Sequence, residues 1–259
     1  MDRGDILAKL ANRDTYPADA IRYCFDHPDR TVAIYLPILG KAANGGSLEP
    51  DEDKSFYLGL HLLAALKITD GFAPLKELAV TRPAFLVQLL GEVGLGETFP
   101  RILMSLGGGK AAELWRVVET HELDFMIRDA FLRAWTFEVL EHRVTAIAAI
   151  RTLREYLDAD DAPGSADPIW SGWLIAIADL GYRELAPLAE RAIASGRILT
   201  EDGDRSAREI SAFQSALAEA GQSNSLPAWL TDRGYQPFGA GTSDWGDCFL
   251  NAPQPPLLP

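Results

Sequence analysis

The chain predicts an all-α fold: an α-α superhelix, a HEAT-like stack of helical pairs, with an irregular C-terminal extension. Three observations predict it. Apolar residues recur with helical spacing along most of the 259 residues. Strand signals are weak, with no sustained alternation of β-branched residues and no Asn-Gly turn between such runs. One short pattern also repeats. Leu66 is followed by Ala73-Pro74-Leu75 and Leu180 by Ala186-Pro187-Leu188, with a degenerate copy at Leu106 and Ala112-Glu113-Leu114. Pro74 to Glu113 spans 39 positions and Glu113 to Pro187 spans 74, close to two units of about 37. Single helix pairs cannot bury their apolar faces alone, so such units must stack.

The elements follow in order. Met1-Asp2-Arg3-Gly4-Asp5 leads into a short amphipathic stretch. Glu49-Pro50 and Thr81-Arg82-Pro83 read as helix starts, because a proline at the first helical position lacks only an N–H that has no partner there. The stretch 56–66 is apolar nearly all round and so must be covered on more than one side. The prolines of the two full Ala-Pro-Leu copies fall in first turns. Ile127, Phe131, Ala134 and Trp135 line one helix face, with Arg128, Asp129 and Arg133 opposite. The segment 159–167, rich in Asp, Ala, Pro, Gly and Ser, reads as an exposed loop and as the place where two sub-bundles would part. Asp167-Pro168 then opens a second all-round apolar helix, 169–180. Leu185, Leu188, Ala189, Ala192 and Ile193 form the next face, ended by Gly196. Ser206-Ala207-Arg208-Glu209 reads as a capping box ahead of Ile210, Phe213 and Leu217. The predicted division is a repeat domain over 1–220 and a Pro/Gly/aromatic-rich segment over 221–259 that packs on the last helices. Within that segment 252–256 has polyproline II composition.

The formal charge of -13 makes phosphate backbones and anionic membranes poor partners. The N-terminus lacks the basic start and longer apolar run of a secretory signal, and no window is long and apolar enough to span a bilayer. Cys24 and Cys248, the only cysteines, form neither a disulfide framework nor a metal quartet. These features predict a cytoplasmic protein with two free thiols.

Signatures of chemistry fail one by one. Gly107-Gly108-Gly109-Lys110 suggests a phosphate loop, but Met104 stands where the first glycine is needed and Ala111 where Ser or Thr must hold magnesium. Gly94-Leu95-Gly96 lacks a preceding strand and a third glycine. No two of His27, His61, His121 and His142 are four apart. Glu138 and His142 are, and they read as a surface ion pair rather than half of a metal site. His61, inside an apolar helix, reads as a partly buried histidine bonded to a backbone carbonyl. No catalytic residue, metal or cofactor is predicted.

Several short segments follow one another in a set order: Pro17-Ala18-Asp19-Ala20-Ile21, His61 to Leu66, Ala73-Pro74-Leu75 and Leu90-Gly91-Glu92. Glu97-Thr98, Arg101-Ile102-Leu103, Ile127-Arg128-Asp129-Ala130 and Trp170 with Ala178-Asp179-Leu180 come after them. In that order the chain resembles the bacterial DUF1186 family of HEAT-like helical proteins. The resemblance implies an architecture and no activity. Some relatives end in a cysteine-rich zinc motif; this chain has only Cys248 there, so no zinc is expected.

The leading expectation is a non-enzymatic interaction scaffold, offering a concave helical face to a protein partner, with a basic one favoured by charge. Glu92, Glu97 and Arg101 are the first candidate partner-binding residues, and Arg128 and Asp129 the next. The alternative is a small-molecule enzyme or sensor with a carboxylate-lined pocket between helices.

Overall fold

A computed structural model of the chain describes residues 1–12, 14–198, 206–220, 226–239, 241 and 245. Every regular element among them is helical. The chain forms two compact units, Met1–Gly108 with Gln236–Pro259, and Gly109–Tyr235.

The first unit holds α1 (Arg3–Ala11), α2 (Ala18–Asp26), α3 (Pro28–Ala43), α4 (Pro50–Ala65), α5 (Phe72–Thr81), α6 (Pro83–Glu97) and α7 (Phe99–Leu106). Its centre is α4, the helix read as apolar all round. Every residue from Ser55 to Ala64 is buried there, under α1, α3 and α7. Gly59 makes the α3 crossing possible, because a Cβ at that position would fall inside the Tyr35 ring. His61 is fully buried, with Nδ1 2.7 Å from the Tyr57 carbonyl. That bond is the predicted one; the burial is deeper than predicted.

The second unit holds α8 (Ala111–Val118), α9 (Phe125–Leu140), α10 (Ala146–Asp158), α11 (Ile169–Asp179), α12 (Ala186–Ala194), α13 (Ser206–Ala220) and α14 (Leu226–Asp232). Here α9 is the inner helix, packed by α8 and α11. Its sequence reads as a one-faced amphipathic helix, yet Arg128 and Glu138 are each 1% exposed. The difference is physical: Arg128 is folded onto Asp167, 39 residues away, and Glu138 onto Arg143, five residues on, instead of meeting water. Helix α11 differs the other way, leaving Ile175 50% exposed although its sequence is apolar all round.

The helices before the two full Ala-Pro-Leu copies end in the same way. At the end of α4 the N–H groups of Leu66, Lys67 and Ile68 donate to the carbonyls of Leu62, Ala64 and Leu63. After α11, Leu180, Gly181 and Tyr182 donate to Ala176, Ala178 and Ile177 in the same order. Both are Schellman-type ends, and both lead through a 3-10 turn, Thr69–Gly71 or Arg183–Leu185, into the helix carrying Ala-Pro-Leu. A third copy follows α9, where Glu141, His142 and Arg143 donate to Phe137, Val139 and Glu138. The middle residue is left-handed each time, with φ 55 at Lys67, 59 at His142 and 66 at Gly181. Lys67 to His142 is 75 positions and His142 to Gly181 is 39. The same three-bond end also closes α3 at Gly45 and α14 at Gly234, 22 positions before Lys67 and 53 after Gly181. The turn therefore marks helix ends in general and not the sequence period. The copy after α9 carries no Ala-Pro-Leu, because α10 starts instead on Thr145, whose Oγ1 accepts from the Ala148 N–H at 3.3 Å.

The units part at Gly108 and Gly109, in the glycine-rich turn. The segment 159–167 lies inside the second unit, where Trp170 Nε1 donates to the Gly164 carbonyl and Arg197 Nη1 to that of Pro163. The described part of the C-terminal segment divides: Arg233 and Tyr235 meet Glu219 of α13 and Asp179 of α11, on the last helices, whereas Phe238 does not. The Phe238 N–H donates to the Arg101 carbonyl at 3.1 Å, and its own carbonyl accepts from Ser105 Oγ at 3.2 Å. Its ring packs edge-on to His61 at 4.9 Å. These contacts lie in the first unit, not on the last helices. The side chains of the Ser206–Glu209 capping pattern, Cys248 and the proline run 252–256 lie outside the described residues.

Candidate functional sites

Glu92, Glu97 and Arg101 lie along α6 and α7. Helix α6 is broken at Gly91, whose φ 68 and ψ 169 suit glycine. Glu92 starts the second piece, where a carboxylate complements the helix N-terminus. Glu92 and Glu97 are both exposed. Between them Val93 is 53% exposed, although α6 is strongly apolar and buries only Leu86, Leu90 and Leu95 among its larger side chains. Arg101 turns away from this surface. Its Nε donates to the Gln236 carbonyl at 3.0 Å, and its guanidinium lies 5.4 Å from the Phe238 ring centre. It therefore anchors the C-terminal segment.

Arg128 and Asp129 are neighbours in sequence with different surroundings. Arg128 Nη2 pairs with Asp167 Oδ1 at 2.6 Å, and the same oxygen accepts from the Ile169 N–H at 3.0 Å. Arg128 thereby fixes the loop before α11 and the start of that helix. The burial of this arginine is tolerable because the charge is paired.

Asp129 opens instead into a cleft of ≈ 320 Å³, walled by α9, α11 and residues 232–235. Its carboxylate seats on Gly172 of α11, where any Cβ would collide with it. Asp179, at the end of α11, is 4% exposed. Its Oδ2 accepts from the fully buried Tyr235 hydroxyl at 2.8 Å. Its Oδ1 lies 3.4 Å from Arg233 Nη1, within ion-pair distance, yet accepts no hydrogen bond. Burial pushes the carboxyls of both Asp129 and Asp179 above the ordinary carboxylate range, and Arg133 partly offsets this for each. Arg133 reaches to Gly234, where a Cβ would lie 2.6 Å from the arginine Nη2, so the missing side chain leaves room for the guanidinium. Two aspartates, Asp129 and Asp179, thus line one cleft between helices, which holds neither the Glu92, Glu97 and Arg101 group nor a histidine. It contains Asp129 and none of the other four candidate residues. Sequence reasoning missed Asp179, Arg233 and Tyr235, although Ala178-Asp179-Leu180 carries an aspartate inside an apolar helix end, which is a signal of a buried polar role.

The remaining motifs resolve into structure. The N–H of Gly109 in the glycine-rich turn donates to Glu138 Oε2 at 2.7 Å, so a protein carboxylate occupies it. Glu138 pairs with Arg143, not with His142. The left-handed backbone at His142 takes that side chain off the helical i, i+4 register. Among the described residues no group of three or more His, Cys, Asp or Glu side chains could hold a metal ion. Burial pushes the Cys24 thiol up, which keeps it protonated and unreactive. No single helix among the described residues is long and apolar enough to cross a membrane.

Neither the curated proteins nor the solved structures contain a significant match to this chain. A family model, described as protein of unknown function DUF1186, matches residues 1–204. With that match over most of its length, and the helical-pair architecture behind it, the chain belongs to the DUF1186 family.

Proposed function

We propose that this protein is a non-enzymatic interaction scaffold that docks a basic, amphipathic partner segment on the outer surface of α6. One observation carries the reading: an apolar helix that buries only one side and exposes Val93 between Glu92 and Glu97. An exposed apolar side chain rimmed by like charges suits a partner with apolar anchors and basic residues. The net charge of -13 would steer such a partner toward the protein. Arg101 supports the surface indirectly, by holding the C-terminal segment against α7. Arg128 fixes the α11 start and has a scaffold role only.

The test is affinity capture from native cell extract with the intact chain, beside a Glu92→Ala, Glu97→Ala double variant and Val93→Asp. One basic protein should be retained by the native chain and lost from both variants. Retention of the same protein by both variants would sink the reading.

A further inference from the structure

We propose that the cleft between α9 and α11 binds a free α-amino acid, with its ammonium on Asp179 and its carboxylate on Arg233. The site lies in the second unit and does not depend on the scaffold reading, which concerns α6 in the first.

The buried carboxyl carries the argument. Asp179 is 4% exposed and lines the cleft. Tyr235 satisfies one oxygen, while Oδ1 stands within reach of Arg233 but accepts no hydrogen bond. A buried carboxylate oxygen in that condition is costly unless something donates to it. A positively charged donor that enters the cleft and takes the place of Arg233 Nη1 beside Oδ1 completes the acceptor and offsets the burial of the aspartate. An ammonium does both, while the displaced guanidinium turns to the ligand's carboxylate.

The rest of the wall offers a cation, Arg233, to an anionic group near that ammonium. Arg233 is 30% exposed at the cleft, and its Nη2 is held by Glu219, itself 66% exposed. A surface pair of that kind is weak, so a ligand carboxylate can replace Glu219. Asp129 on Gly172 supplies a second acceptor beside the first. Ile175, half exposed, is an apolar wall against which a side chain can lie. Both charge signs within one cleft of ≈ 320 Å³ fit a small zwitterion better than a simple cation or anion.

The experiment is isothermal titration of the full chain with L-leucine, L-glutamine and glycine. Isoamylamine and 4-methylpentanoate serve as probes carrying one charge only. Saturable binding of at least one amino acid is expected, with both single-charge probes at least tenfold weaker. Asp179→Asn replaces the unfilled acceptor by a donor and should weaken binding at least tenfold. Glu219→Gln frees Arg233 and should leave binding unchanged or tighten it. If Asp179→Asn does not fold by circular dichroism, Ile175→Trp, which fills the mouth from an exposed position, should abolish binding instead. No saturable binding by any amino acid, equal binding of a single-charge probe, or an unaffected Asp179→Asn variant each overturns the proposal.

Discussion

Glu52 and Asp179 are both buried carboxylates, and they respond to pH in opposite directions. Glu52 accepts from the Glu49 N–H at 3.0 Å, from Lys41 Nζ at 2.9 Å and from Arg3 Nη2 at 2.6 Å. The backbone bond and then the Lys41 bond outweigh its burial and lower its pKa from 4.5 to about 2. A depressed acid stabilises the fold above its unfolded pKa and loses that stabilisation as pH falls toward its folded one. Glu52→Gln should therefore cost about 1–3 kcal/mol at neutral pH, and urea melts should show the cost shrinking between pH 4.5 and about 2. An equal cost at both ends would refute the assignment. Asp179 is raised above 3.8, first by burial. Its ionisation weakens the fold, and the penalty is relieved as pH falls through the raised value toward 3.8. Relative to the native chain, Asp179→Asn should gain stability as pH rises through that window, and a flat difference would show that the carboxyl is not desolvated. Only part of this was hidden in the sequence. Glu52 takes its two main bonds from the nearby Glu49 and Lys41, while its lesser partner Arg3 lies 49 residues away. Asp179 is raised by tertiary burial and bonded to Tyr235, 56 residues away. Arg128 makes the same point, since its place on a polar helix face says nothing of Asp167, 39 residues away.

At the scale of the element, local signals were the legible ones. Pro50 and Pro83 do start α4 and α6, and Pro74 and Pro187 do fall in first turns, because a proline's backbone preference acts within its own segment. The Schellman ends were legible only where glycine marks them. Lys67 and His142 adopt the left-handed conformation without glycine's freedom, at about 1–2 kcal/mol each. Replacing either by glycine should raise stability by about 0.5–1 kcal/mol after the larger entropy of an unfolded glycine is counted. Thermal melts of Lys67→Gly and His142→Gly check this, and a fall in the melting temperature would mean that the side chains hold those turns. Gly59 is the opposite case, a glycine demanded by packing rather than by φ. Gly59→Ala must push Tyr35 or α3 aside and should destabilise by about 1–3 kcal/mol, read as a lower denaturant midpoint.

Across the whole molecule, the period was readable before the grouping was. A spacing of about 37–40 residues links the Ala-Pro-Leu helices, and the left-handed turns at Lys67, His142 and Gly181 share it while those at Gly45 and Gly234 do not. Which helices share a core depends instead on long-range burial, and there composition misleads. The aromatic tail has the look of a cap for the helices it follows, yet Phe238 is fully buried in the first unit beside His61, Arg101 and Ser105. Trp245 joins it, with ring contacts to Phe25 and Phe238 at 5.7 and 5.4 Å. The chain thus returns at its end to the unit that it built first, so contacts distant in sequence help to hold that unit together. Burying a large aromatic side chain is worth about 1.5–3 kcal/mol. Removal of residues 236–259 should consequently weaken the first unit and spare the second, which ends at Tyr235. Hydrogen exchange on a chain stopped after Tyr235 should show protection lost in α4 and α7 while α9 and α11 keep theirs. Loss concentrated in α11 and α13 would instead make the segment a cap of the last helices. The outcome bears on the α6 surface as well, because Arg101 reaches Gln236 and Phe238 from the helix that follows it. If Glu92 and Glu97 form a docking surface, truncation should weaken partner capture without altering either residue.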